Sequence, residues 1–462
     1  MSFYDKLIAN LPEVASPTQK KLGFKEKLKW TMMALVSFFI MGIIPLFGLD
    51  PQNQFRFEQL EMLLGASFGS IISLGIGPIV TASIVLQLLN GSGIIKFDLN
   101  SQEGKKRFQG TQKLLIFGFI IFEAIIYVFM GGLAPSTSLP AAQFAQMQWF
   151  LVFQLILGGV VILFMDEVVQ KWGFGSGVSL FIAAGVSKTI FIRAFSWLRP
   201  EDNPEVFVGA IPEMFRALSE GLTGTFALAF SGIVATFAVF ALSVYSQSMK
   251  VEIPLSFGKV RGYGIRWPLN FFYTSNIPVI LIAALLANIQ LWARLLANWG
   301  YPLLGTFGSN GNPMSGFVLW IQPTNIVGKI LNNNLVMADV AHSLVYVLVM
   351  IVGAVIFSIF WAQTAGMDAR SQAKNIMSSG LQIPGFRKDQ RILERVLNRY
   401  IQPLTVMGGI AVGFLAAIAD LTGALASGTG ILLAVMIIYK LYEEIAKDHM
   451  MDMNPMMRKF ME

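Results

Sequence analysis

Cysteine is absent from the 462 residues, so the chain can form no disulfide, hold no thiolate-bound metal and use no cysteine nucleophile. Histidine is almost absent too. His342 and His449 have no second ligand near them in sequence, which argues against a metal site. Charge is scarce: Asp, Glu, Lys and Arg make up 13% of the chain, against roughly 25% in soluble proteins. Catalytic motifs are also missing. No nucleotide loop G-x-x-x-x-G-K-[ST] occurs, and the hydrolase elbow G-x-S-x-G fails around Ser176, because Phe174 stands where its first glycine belongs. An enzyme is not expected, no cofactor is implied, and energy for any work must come from a partner. The chain opens Met1-Ser2-Phe3-Tyr4-Asp5-Lys6 without the marks of a removable signal peptide, so insertion is expected to use the first true span.

What the chain has in abundance is apolar sequence, 55% of it, with mean hydropathy +0.62. Crossing the hydrocarbon core takes about 20 mainly apolar residues in a helix. Segments near that length run through 30–49, 71–89, 114–134, 149–165, 178–197, 226–245, 271–292, 344–361, 404–419 and 430–442, the last two being short or interrupted by glycine. Ten spans make an all-α polytopic membrane protein with both termini on one side. Lys and Arg mark cytosolic loops. With the termini inside, 27 of the 34 Lys and Arg fall in inside segments, led by Lys20, Lys21, Lys25, Lys27 and Lys29 before the first span. The net charge of +7 is therefore mostly a topology signal. Residues 1–15, with Phe3, Leu7, Ile8 and Leu11 apolar, suit a short helix on the cytosolic surface.

An ionisable group inside a span is a functional hypothesis by default. Glu123 is the clear case; Asp166, Glu167 and Asp420 stand at span ends, and Lys188 in the outer half of the fifth span. Glycine breaks three helices at membrane depth. Gly75-Ile76-Gly77-Pro78 interrupts the second span, Gly175-Ser176-Gly177 opens the fifth, and Ser427-Gly428-Thr429-Gly430 opens the tenth. Such breaks are tolerated only where protein or a water-filled cavity covers the freed backbone groups. Just after two of them, Ile76 with Val80 and Val178 with Ile182 recur at i and i+4, which puts each pair on one helix face. By spacing alone these pairs favour ordinary lipid-facing or interhelical packing over a pore lining. Residues 57–68, FEQLEMLLGASF, are too short to span and mix two glutamates with leucines. They read as an external interfacial helix or a re-entrant segment.

The strings LGIGPIVTASIVLQLL (74–89), DEVVQKWGFGSGVSLFIAAGVS (166–187), FYTSNIPVILIAALLANIQLW (272–292), RYIQPLTVMGG (399–409) and SGTGILLAVMIIYKLYE (427–443) closely resemble the SecY family, the pore-forming subunit of the Sec protein translocon. Details such as KVEIPL (250–255), IPLFG (44–48) and GFRK (385–388) are similar to its archaeal and eukaryotic branch. The resemblance implies two pseudo-symmetric inverted five-helix halves, 1–215 and 216–462, around a central pore. It implies a constriction ring at Ile76, Val80, Val178, Ile182, Ile280 and Leu433, and a plug over 57–68 carrying Phe57, Leu60, Leu63, Leu64 and Phe68. It further implies a lateral gate with Thr81, Glu123 and Asn276. The cytosolic loops 247–269 and 363–400, with Lys259, Arg261, Arg266, Arg387, Lys388 and Arg391, would dock the ribosome. The implied partners are a SecE-type gamma subunit, a small beta subunit, the signal recognition particle receptor, signal sequences, nascent polypeptides and membrane lipid. The implied location is the plasma membrane of a prokaryote.

Two rival functions use similar parts. A secondary transporter for a small solute also combines inverted repeats and broken helices, but binds its substrate at midplane, usually through ionisable groups. An intramembrane protease needs paired aspartates or a Ser/His pair within spans, and His342 has no serine motif to serve.

Overall fold

The computed structural model describes residues 8, 10–18, 22–54, 66–91, 94–95, 97–98, 101–130, 132–136, 139–199, 205–257, 264–308, 313–378, 381–382 and 389–453. Among these, ten helices carry the apolar segments: α1 (Phe24–Met41), α2 (Gly77–Gly91), α3 (Gln102–Phe129), α4 (Ala141–Trp172), α5 (Gly177–Phe195), α7 (Thr223–Ser248), α8 (Ile277–Asn298), α11 (Met337–Thr364), α13 (Gln390–Leu421) and α14 (Gly428–Met453). Seven of them are long and apolar enough to span by length and composition alone. The others depart for visible reasons. Helix α2 has 15 residues because the chain before Gly77 runs as turns, while α1 begins FKEKLK and α14 carries KLYEEIAKD beyond its apolar part. Between the spans lie helix α6 (Ala210–Glu220), which runs across the expected 215/216 boundary, and the short helices α9 (Phe317–Trp320), α10 (Ile326–Leu331) and α12 (Ala369–Ser378).

The loops add two small antiparallel sheets that the apolar pattern does not announce. Strands β1 (Leu49–Gln54) and β2 (Leu133–Pro135) pair with each other. Strand β3 (Lys250–Phe257) pairs along its length with β4 (Gly264–Asn270), in the register Ile253 opposite Trp267, and at its end with β5 (Leu381–Gln382). This second sheet joins the loop before α8 to the loop before α13. Ile253, Leu269, Tyr273, Ala373, Leu393 and Leu397 give it a separate apolar core.

The main core runs through the spans as one hydrophobic cluster. Apolar burial does not drive helix association within lipid, so close approach has to come from small residues and interhelical hydrogen bonds. Helices α11 and α13 illustrate this: a Cβ on Gly409 would meet Ser358 Oγ at 2.8 Å, and one on Gly413 would meet the Met350 carbonyl at 2.9 Å. Aromatic rings on the outward faces of α5 and α7 stay exposed, as lipid-facing positions should: Phe191, Phe195, Phe230 and Phe237.

On the side of the chain start, residues 10–18 form a strap rather than a helix. Val14 donates to Glu167 at 2.9 Å, Lys171 pairs with Glu13 and donates to the Val14 carbonyl at 2.6 Å, and Trp172 Nε1 donates to the Ala15 carbonyl at 2.9 Å. Most of the surface helix expected over 1–15 lies outside the described residues.

Candidate functional site

Four helices start at points where the chain has just turned among buried residues. Helices α2 and α5 begin two residues after Gly75 (φ 52°) and Gly175 (φ 68°), and α8 begins two residues after Ser275 (φ 59°). Left-handed backbone is natural for glycine and uncommon for serine. At the third position the Ser275 hydroxyl donates to Asn276 Oδ1 at 3.0 Å. Helix α14 starts after Ser427, whose Oγ accepts the Gly430 N–H at 3.1 Å.

The expected ring side chains sit at or beside these starts. Ile76 immediately precedes α2 and Val80 is in its first turn; Val178 and Ile182 are in the first two turns of α5; Ile280 is in the first turn of α8; Leu433 is in the second turn of α14. Ile76, Ile182 and Leu433 are fully buried, Val80 and Ile280 nearly so, and Val178 is half-buried against the same cluster. All six are aliphatic.

Contacts across the seam between α2 and α3 on one side and α8 and α11 on the other include three of different kinds among the described residues. Asn288 Nδ2 of α8 donates to Thr81 Oγ1 of α2 at 3.1 Å, while the Thr81 hydroxyl bonds back to its own helix at Gly77. Phe122 of α3 lies tilted on Trp292 of α8 with ring centroids 5.5 Å apart. Gly91, the last residue of α2, lies against the Phe360 ring of α11, which a Cβ there would meet at 2.6 Å. Glu123 is buried beside Thr81, and its Oε2 has no hydrogen-bond partner among the described residues.

This seam corrects one expected member. Asn276 stands before the first turn of α8 and bonds to Ser275, whereas the asparagine that reaches Thr81 is Asn288. Twelve residues of helix separate them, about 18 Å along the axis, so both cannot serve one polar cluster. The signal was present in the sequence: Asn288 is an amide deep within an apolar run, and such groups need a partner across a helix interface.

Other expected residues are only partly visible. Of the plug set, Phe68 stacks on Tyr127 with centroids 6.0 Å apart; Phe57, Leu60, Leu63 and Leu64 lie outside the described residues. Of the docking set, Arg391 is exposed at the start of α13, where Asp389 accepts its backbone N–H at 2.9 Å. Arg266 has its backbone in β4 opposite Pro254, and Lys259, Arg261, Arg387 and Lys388 lie outside the described residues.

A family model described as SecY matches residues 70–442. The chain is 46% identical over 463 residues to the protein translocase subunit SecY of Methanothermobacter thermautotrophicus, covering 99% of this chain and 98% of that one. It is 41% identical to the same subunit of Methanocaldococcus jannaschii, covering 98% of each. Among solved structures, one described as a protein conducting channel superposes with TM-score 0.83 at 40% identity over 96% of each chain. Sec61 in a canine ribosome-channel complex from the endoplasmic reticulum does so with TM-score 0.80 at 40% identity, again over 96% of each.

Proposed function

The chain belongs to the SecY family as a subunit of a protein-conducting channel, and we propose that Ile76, Val80, Val178, Ile182, Ile280 and Leu433 form the constriction through which an unfolded polypeptide passes. The observation that carries this reading is the arrangement of the helix starts. Four helices begin beside buried residues, and each places an aliphatic side chain from its first two turns, or immediately before them, in the main hydrophobic cluster. Such a ring seals by excluding water, and it offers a passing chain no hydrogen bonds that would hold it, so sequence matters little to passage. A solute transporter would instead present ionisable groups or half-helix termini to its substrate.

Release of an apolar segment sideways requires α2 and α3 to part from α8 and α11. Such an opening would break the contacts Thr81–Asn288, Phe122–Trp292 and Gly91–Phe360. Glu123 belongs to this gate. Residues 57–68 form the plug that seals the outer funnel at rest, with Phe68 against Tyr127 as its fixed end. The two halves, 1–215 and 216–462, hinge about the segment that contains α6.

Both termini lie in the cytosol, which follows from the excess of Lys and Arg in the segments on that side. That orientation puts β3, β4, β5 and the start of α13 in the cytosol. Their loops, with Lys259, Arg261, Arg266, Arg387, Lys388 and Arg391, form a basic platform for the polyanionic ribosome. A SecE-type gamma subunit and a small beta subunit complete the assembly, and the signal recognition particle receptor delivers nascent chains to it.

The test is site-specific photocrosslinking. A photoreactive residue at Ile76 or Leu433, in the channel engaged with an arrested secretory chain, should crosslink to that chain. The same probe at lipid-exposed Ile121 should not. Crosslinking from Ile121 but from neither ring position would overturn the reading.

A further inference from the structure

Two carboxylates outside the gate and the ring are held by nearly the same set of contacts, one in each half. Asp166 is buried near the end of α4. Its Oδ1 accepts the Val178 N–H of α5 at 2.9 Å, and its Oδ2 accepts Gln170 Nε2 at 2.7 Å. Asp420 is near the end of α13, partly buried. Its Oδ1 accepts the Thr429 N–H of α14 at 2.8 Å, and its Oδ2 accepts the Tyr346 hydroxyl of α11 at 2.6 Å together with the Thr429 hydroxyl. Among the described residues neither carboxylate has a lysine or arginine partner, so both are committed to these N–H and O–H donors.

The first residue of each following helix is glycine, and in both cases a side chain would collide with the aspartate's own backbone. A Cβ on Gly177 would meet Asp166 Cα at 2.6 Å, and one on Gly428 would overlap the backbone joining Ala419 to Asp420. The amides of Gly177 and Gly428 also face the two carboxylates. The amides that open a helix have no partner within it, and an acidic oxygen placed there both satisfies them and favours that helix start. The unit is thus an aspartate at the end of one helix, a glycine packed on it, and the next residue's N–H donated to it.

The two helices opened this way are α5, with Val178 and Ile182, and α14, with Leu433. The other ring helices, α2 and α8, start without a carboxylate cap among the described residues, and they are the pair joined across the seam by Thr81 and Asn288. We propose that Asp166 and Asp420 are positioning residues of the channel. They fix the starts of α5 and α14 against α4 and α13, so that two walls of the constriction hold still while α2 and α8 move apart. This rests on the ring reading above.

The experiment measures resting ion conductance of the purified channel, with its partner subunits, in planar bilayers. Asp166→Ala and Asp420→Ala should each raise it several-fold, because α5 or α14 loses its fixed start. Asp166→Asn and Asp420→Asn, which keep an acceptor oxygen for the Val178 and Thr429 amides, should restore the seal. In double variants, Asp166→Ala should add little to the leak of Val178→Ser on the same helix but multiply that of Leu433→Ser on another, whereas general loosening multiplies both equally. If Asp420→Ala does not accumulate, Tyr346→Phe and Thr429→Val each remove one bond and should each leak. Wild-type conductance in the alanine variants, or asparagine variants as leaky as alanine ones, while Val178→Ser and Leu433→Ser do leak, overturns the latch and leaves the ring standing. Ring variants that do not leak overturn the ring itself.

Discussion

Replacing Thr81 by valine removes one hydroxyl from the seam between α2 and α8 while keeping the branched shape that packs there. Asn288 Nδ2, which donates to that hydroxyl at 3.1 Å, is left without its acceptor while the seam is closed. When the seam parts, the amide regains partners in water or in a passing chain, so the loss falls on the closed form alone. A buried donor without a partner costs about 1–3 kcal/mol, and hydrogen bonds between helices in a bilayer average about 0.6 and reach about 1.7 kcal/mol. Since Thr81 is only half-buried, the bilayer scale applies, and about 1 kcal/mol is the expected loss. That is about a five-fold rise in the ratio of parted to closed seam. The assay is secretion of a reporter with a weakened signal sequence, which Thr81→Val should raise by a similar factor. Thr81→Val with Asn288→Leu should return toward wild type, because removing both partners of a buried bond is close to neutral. If Thr81→Val secretes the weakened reporter at the wild-type level and the cycle shows no coupling, the bond does not hold the gate closed.

Four further expectations follow from the same contacts. Glu123→Gln keeps hydrogen-bonding capacity and should leave translocation of normal signals intact, whereas Glu123→Leu should shift the admission threshold in the same reporter assay. Gly91→Ala pushes a methyl toward the Phe360 ring, so it should lower the same threshold, and trimming the ring with Phe360→Leu should restore it. Reversing Arg261, Arg387 and Arg391 to Glu should weaken ribosome binding more at low salt than at high salt, where screening has already removed the attraction; sedimentation across a salt series reads this. The fourth concerns the strap: Lys171 holds the Glu13 carboxyl below its ordinary value, so their contribution to folding is complete above the ordinary glutamate range and is lost as pH falls through the depressed value. Protease cleavage within 10–18 should therefore accelerate only on strong acidification, and Lys171→Met should bring that cleavage up to neutral pH.

The ten spans were legible because lipid demands long apolar helices, and all ten apolar segments fall on helices. The ends were less so. Helix α13 starts at Gln390 rather than near 404, since its first turns are amphipathic and pack Leu393 and Leu397 on the β3–β4 sheet, and Pro403 lies inside the helix without ending it. Helix α1 ends at Met41 rather than 49 because Gly42 and Pro45 turn the chain away, though the residues beyond remain apolar. The glycine breaks at 75, 175 and 427–430 were legible as helix starts at depth, whereas the start at Ser275 was hidden because a serine with φ 59° has no sequence signature. At the seam, Glu123 and Thr81 stood out in the sequence as polar groups within apolar spans, whereas Asn288 did not, since an asparagine's partner across a helix interface is fixed by packing. Asp166 and Asp420 were visible only as charges at span ends; the amides that they accept stand 9 to 12 residues away and meet them only when the chain turns back.

The constriction is tested most directly by resting ion conductance of the channel carrying Ile76→Ser, Ile182→Ser and Leu433→Ser together, with folding shown by co-purification of the partner subunits. If these side chains form the dry barrier, polar replacement on three separate helices hydrates it, and the resting conductance rises well above wild type. Deleting 57–68 in addition should increase the leak further, as removal of a second seal. A folded, inserted triple variant with wild-type resting conductance would contradict the account.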